Sequence, residues 1–161
     1  MSQNLTTDRH ALPRDFSDEV RAVIGAFAIV RKMENLMEEE AFSVNLTKQE
    51  RRMVLFLDPP RRMGELAKWM GALPSSVTAM ADSLADRGLL VRQRDPQDGR
   101  AWQLALTDSG RDARDETFEK VEKIFRTESN LTGKEIRTYA DLAIKALPDD
   151  FFTDETGEDP K

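Results

Sequence analysis

Leu90-Val-Arg-Gln-Arg-Asp-Pro-Gln-Asp-Gly-Arg-Ala-Trp-Gln-Leu-Ala-Leu-Thr107 is the stretch that decides the fold. Leu89, Val91, Trp102, Leu104 and Leu106 alternate with polar neighbours, and Asp95-Pro-Gln-Asp-Gly99 between them is dense in turn formers. The pattern predicts a charged two-stranded β-hairpin. Upstream, a short helix from about Arg62 to Met70 buries Leu66, Ala67 and Met70, and Gly71 supplies the left-handed residue that closes it. Pro74 then opens a second helix, Ser75 to Arg87, which ends at Gly88. Its spacing points Val77, Met80, Ala81 and Leu84 inward and leaves Ser75, Ser76, Thr78, Ala79, Asp82 and Ser83 outside.

Helix, short turn, helix and charged hairpin is the order of a winged helix-turn-helix. One helix enters the major groove of a duplex while the hairpin reaches for backbone or minor groove. The remaining elements surround this unit. Asp15 or Ser17 caps a long first helix to about Glu40, whose apolar positions Phe16, Val20, Val23, Ile24, Phe27, Val30, Met33, Leu36 and Met37 keep the three-and-four spacing of a stripe. A helix of about 25 residues spans roughly 37 Å, more than a small winged-helix core can cover, so part of that stripe needs another surface. Thr47 and Glu50 form a capping box for a helix stopped by Asp58-Pro59-Pro60, with Met53 to Leu57 supplying its buried face. Thr107 caps a fifth helix to about Thr127 with Phe118, Val121, Ile124 and Phe125 on one side. A capping box (Thr132, Glu135) and hydrophobic staple (Leu131, Ile136) start a last helix to Leu147.

At 161 residues, 39% hydrophobic and 34% charged, the chain is sized for one domain with its own core. The absence of cysteine excludes disulfides, thiol redox chemistry and cysteine-ligated zinc, and a lone His10 in a polar leader argues against a histidine metal site or a catalytic triad. No catalytic residue, metal or cofactor is therefore expected. Glu34, Glu38, Glu39 and Glu40 point in different directions along a helix and read as a solvated end. The longest apolar run, Ala22 to Val30, is nine residues, too short to cross a bilayer, and the first ten residues hold no apolar export signal. A cytoplasmic location is the expectation.

The net charge of −6 looks unfavourable for nucleic acid, but its distribution matters more than its sum. Residues 148–161 hold six acidic side chains against one lysine, leaving the rest near neutral, and Arg51 to Arg100 carries a local +3. Phe151 and Phe152 in that acidic tail are costly to leave in water and are expected to dock on something.

In its motifs the chain resembles the MarR family of prokaryotic transcriptional regulators, from about residue 16 to 147. The resemblance is carried by Leu46-Thr47, Gly64-Glu65-Leu66-Ala67, Ser75-Ser76-Val77-Thr78, Leu84-Ala-Asp-Arg-Gly-Leu-Leu90, Arg94-Asp95-Pro96-Gln97-Asp98-Gly99-Arg100 and Leu106-Thr107-Asp108-Ser109-Gly110, in order and spacing. It implies a mainly α fold with a two-stranded wing, a two-fold dimer through the terminal helices, pseudo-palindromic operators, and a small ligand bound between the DNA-binding and dimer regions. Two departures stand out. Ala79 stands where a basic or polar residue is common and Ser83 where arginine is frequent, and Asp98-Gly99-Arg100 replaces a hairpin with two consecutive arginines.

The expected layout is a flexible leader at 1–14, one domain at 15–147 and an acidic tail at 148–161. Within the domain, the winged helix-turn-helix lies at about 46–107 and the dimerisation helices at about 15–40 and 108–147. Ser75, Ser76, Thr78, Ala79 and Ser83 are the candidate base readers, and Arg92, Arg94 and Arg100 the candidate wing contacts. Asp95 and Asp98 are expected to brace the wing by orienting Arg100, and Arg61 and Arg62 are candidate phosphate anchors beside the amides that open the third helix. Trp69 and Trp102 are expected in the core. Seven methionines suit gap filling or a small hydrophobic or aromatic effector. The expected partners are double-stranded DNA and a second copy of the chain, with no membrane contact, in a role most consistent with a repressor. The alternative is a winged-helix module that binds a protein, supported by the scarcity of arginine on the second helix of the motif.

Overall fold

A computed structural model describes residues 16–148. The expectations for the 1–14 leader, His10, Phe151, Phe152 and the acidic tail beyond Pro148 lie outside the described residues. The elements run α1 (Asp18–Glu39), α2 (Lys48–Phe56), β1 (Arg61–Arg62), α3 (Met63–Met70), α4 (Pro74–Asp86), β2 (Leu90–Arg94), β3 (Trp102–Leu106), α5 (Asp108–Glu128) and α6 (Gly133–Lys145). The protein is a mainly helical winged helix with a small antiparallel sheet.

Local chemistry sets the helix ends. The Ser17 hydroxyl accepts from the Val20 amide at the start of α1. At α2 the Thr47 hydroxyl accepts from the Glu50 amide at 3.2 Å while Glu50 accepts from the Thr47 amide at 2.9 Å, so two orphan donors are satisfied together. Thr132 and Glu135 repeat the box at α6. Gly71 ends α3 at φ 57°, a left-handed position that a side chain rarely tolerates. Pro74 occupies the first turn of α4.

The sheet differs from the predicted hairpin. Arg61 and Arg62 pair with Leu104 and Gln103, adding a third strand in the order β1-β3-β2. Two residues are too few to show an alternating pattern, so nothing in the sequence distinguished this strand from a helix-opening arginine pair.

The core lies where α2, α3, α4 and the sheet meet. Met53, Val54, Leu57, Leu66, Val77, Ala81, Leu84, Leu90 and Leu104 form its centre, and α5 closes one side through Ala113. Gly110, in the first turn of α5, passes against the end of α4: a Cβ there would lie 1.9 Å from the Leu89 carbonyl oxygen. Only glycine fits that approach. The Thr107 hydroxyl locks the same corner by donating to the Gly88 carbonyl at 2.7 Å and accepting from the Gly110 amide at 3.0 Å.

Outside this core the apolar surface is uncovered. Along α1 only Met37 is buried, while Val23 and Phe27 are 71% and 68% exposed. No residue of α6 is buried, and Leu142 and Ile144 face solvent. Phe118 also departs from the stripe predicted for α5. It is half exposed with the Arg114 guanidinium over its ring, while Gly110, Ala113, Thr117 and Ile124 form the buried side. No helix among the described residues is long and apolar enough to cross a membrane.

Candidate nucleic-acid interface

The outward row of α4 follows from its inward one. With Val77, Ala81 and Leu84 buried, the 100° step of the helix leaves Ser75, Ser76, Thr78, Ala79, Asp82 and Ser83 on the open face. These side chains differ in what they have free. The Thr78 hydroxyl donates to the Pro74 carbonyl and keeps its acceptor capacity. Ser83 donates at 2.8 Å to Glu50, so its hydroxyl is turned to α2. Ala79 presents a bare methyl, the group suited to a thymine methyl.

Glu50 is a functional support that sequence reading recognised only as a cap. It is 6% exposed and accepts from the Thr47 amide, the Ser83 hydroxyl and, at 3.2 Å, the Arg87 guanidinium. Arg87 also donates to the Asn45 carbonyl at 2.6 Å. Burial raises the Glu50 carboxyl, but the Thr47, Ser83 and Arg87 interactions together outweigh it and hold the pKa below its ordinary value. The C-terminal end of α4 is thereby fixed to the start of α2.

The wing is braced by aspartates, though not in the predicted manner. Asp95 is buried; its Oδ1 accepts from the Gln97 and Asp98 amides, and its Oδ2 accepts from Arg62 at 2.6 and 2.8 Å. The Gln97 amide, then the Arg62 guanidinium, holds the Asp95 carboxyl below the usual range. Asp98 accepts from the Arg100 backbone amide at 3.1 Å. The cation that Asp95 holds is thus Arg62, on β1, and the Arg100 guanidinium makes no hydrogen bond or ion pair among the described residues.

The arginines expected to meet DNA divide accordingly. Arg100 is exposed at the wing tip. Arg92 is exposed and bonded to Asp82 of α4 at 2.5 Å, tying wing to helix. Arg94 lies over the Trp102 ring at 4.1 Å. Arg61, a candidate phosphate anchor, is instead 6% exposed, with Nε donating to the Phe56 carbonyl and its guanidinium over Trp69 at 4.4 Å. Arg62, its neighbour, is engaged by Asp95 and by Asp98 at 3.8 Å. Both serve the sheet, because pairing with β3 turns them toward the wing and the core. Trp69, expected in the core, is half-buried and packs edge-on to Phe56 at 5.1 Å, whereas Trp102 is 51% exposed and lies outside the core.

A second feature lies away from α4. Met33 and Met37 of α1, Leu55 of α2, Val121 and Phe125 of α5 and Tyr139 of α6 line an apolar cavity of about 490 Å³, with Arg51 and Arg52 at its wall. The Arg51 Nε is buried with no hydrogen-bond partner among the described residues. No cluster of three or more His, Asp or Glu side chains that could hold a metal occurs among the described residues.

A MarR family model matches residues 57–102, from the end of α2 to the first residue of β3. Over 60 residues the chain is 40% identical to the HTH-type transcriptional repressor MdtR of Bacillus subtilis (strain 168); the match covers 37% of this chain and spans about a third (36%) of that repressor's length. The solved structure of the Multiple Antibiotic Resistance Repressor, MarR, shares the fold with a TM-score of 0.65 at 20% identity, over 83% of this chain and 96% of that one. BpsR of Bordetella bronchiseptica, whose DNA binding is regulated by 6-hydroxynicotinic acid, does so with a TM-score of 0.60 at 19% identity, over 78% and 97%. Family model, repressor sequence and shared fold agree with the braced wing beside an open helix: over residues 57–102 this chain is similar to the MarR family of transcription regulators, and it shares the fold of the MarR structure.

Proposed function

We propose that the protein is a homodimeric, DNA-binding regulator of transcription, acting as a repressor on a pseudo-palindromic operator. The observation that carries this reading is the open row of Ser75, Ser76, Thr78 and Ala79 beside an exposed Arg100, without an ion pair among the described residues, on a wing braced by Asp95. In this reading α4 enters the major groove, where hydroxyls and the Ala79 methyl meet base edges and phosphates. Arg100 reaches the minor groove, and Arg92 and Arg94 meet backbone. Two copies place their α4 helices about 34 Å apart, one helical turn of DNA. The uncovered apolar faces of α1 and α6 support the dimer, since burying Val23, Phe27, Leu142 and Ile144 against a second copy removes them from water.

The cavity between α1, α2, α5 and α6 suits a small hydrophobic or aromatic effector with one acceptor group for Arg51, bound where the DNA-binding and dimer regions meet. BpsR, whose DNA binding answers to a small aromatic acid, supports an effector here. The test is duplex binding by the purified full chain, with DNA from its own promoter region, across a salt series. Affinity is expected to fall steeply with salt, and Arg100→Ala to weaken it and to lower the salt slope, because a cation that displaces counterions from the minor groove is removed. A salt-insensitive or absent interaction overturns the reading. The absence of Arg and Lys from α4 favours a competing one, a protein-binding winged helix, for which Arg100→Ala leaves partner capture intact.

A further inference from the structure

We infer that Trp102 is itself a DNA-contacting residue, lining a slot between α4 and the wing that receives one sugar–phosphate strand. The inference rests on the DNA-binding reading and adds to it a residue outside the recognition helix and outside the wing arginines. A groove of about 500 Å³ runs between the two, lined by Met63, Thr78, Arg92, Trp102, Gln103 and Leu104. Thr78 belongs to the open face of α4, and the ion pair of Arg92 with Asp82 joins α4 to the sheet beside the groove.

Trp102 is exposed by half although it starts a strand whose next same-face residues, Leu104 and Leu106, are buried. A tryptophan left this open presents a large apolar area and one N–H donor to whatever occupies the groove. Its setting is cationic. β-pairing puts Arg94 directly across from it, with the guanidinium 4.1 Å from the ring centroid, and Arg92 two residues along β2. Among the described residues no carboxylate lines the groove, and Asp82 of α4 is held in an ion pair with Arg92.

The geometry of a duplex supplies the occupant. A major groove and its neighbouring minor groove are separated by one backbone strand. If α4 sits in the first and Arg100 in the second, that strand passes through the interval between helix and wing, where the slot lies. Deoxyribose offers an apolar face to the indole, and the flanking phosphates answer Arg92 and Arg94. Such contact is blind to sequence, so it adds affinity at every site alike.

The experiment uses the full chain and a mixed-sequence duplex about three helical turns long at low salt, which needs no knowledge of the operator. In a Trp69→Phe background, Trp102 fluorescence is expected to change and saturate as duplex is added. Trp102→Ala is expected to weaken binding about tenfold with the salt slope unchanged, because no charge is removed. Trp102→Phe, which keeps a ring, is expected to retain most of the affinity, and equal melting temperatures show that each variant folds. Unchanged affinity in Trp102→Ala, with Arg100→Ala weakened, overturns the slot while leaving DNA binding in place. A parent chain that binds no duplex overturns both readings. A Trp102 signal that answers to small aromatic acids but not to duplex assigns the groove to a ligand and overturns the inference.

Discussion

Two capping boxes with the same four-residue signature, Thr47 to Glu50 and Thr132 to Glu135, sit in opposite surroundings. The first opens α2 in the winged-helix core, where Glu50 is buried and also bonded to Ser83 and Arg87. The second opens α6, no residue of which is buried. The same local chemistry therefore starts a helix in both places, but only in the first does the cap become part of a tertiary network. The core satisfies itself, whereas the flanking helices are formed locally and leave their apolar faces for another surface.

The strongest way to break this contrast is at Gly110. Gly110→Ala forces a Cβ onto the Leu89 carbonyl oxygen and is expected to destabilise the fold by about 3 kcal/mol or more, read as a lowered urea midpoint. A midpoint at the parental value shows that α5 can move away without cost. Phe27→Asp, on the open half of α1, is expected instead to leave melting of the core nearly unchanged while weakening self-association by about 2 kcal/mol or more, read by sedimentation equilibrium. Equal association constants for both chains place the partner surface elsewhere.

Glu50→Gln comes next, with an expected loss of about 1.5 kcal/mol from a weakened contact to Arg87. Its pH signature is more telling than its size. Because the folded Glu50 pKa is depressed, its contribution is complete above the unfolded value and is lost as pH falls through the folded one. Urea midpoints of the parent should therefore decline below about pH 4, and Glu50→Gln should flatten that decline. A parallel pair of curves excludes Glu50 as an acid-sensitive support. The finest comparison is Thr47→Ala against Thr132→Ala. The first should cost about 1 kcal/mol in global unfolding, and the second should fray α6 in amide exchange with little global effect.

Where the governing physics was local, the sequence was legible. The caps at Ser17, Thr47 and Thr132, the stop at Gly71, the start at Pro74 and the inward row of α4 all depend on neighbours within one or two turns. The differences arose from pairings between distant residues. Arg61 and Arg62 became a strand because β3 was available to them, and this converted two expected phosphate anchors into a core cation and a brace for Asp95. Trp102 was expected inside because large aromatics usually are, yet its place at the mouth of the sheet, opposite Arg94, leaves it open. Phe118 fell off the α5 stripe because Thr117, whose hydroxyl donates to the Ala113 carbonyl, fills the buried position instead.

One hydroxyl joins the two regions. Thr107 holds the end of α4 and the start of α5 together, so the 21-residue α5 forms a lever whose fulcrum lies beside α4. Along a rod of about 31 Å, a rocking of about 5° at that fulcrum displaces the far end by roughly 3 Å. In the proposed homodimer, small adjustments where α5 meets its surroundings are expected to reset the stride between the two α4 helices.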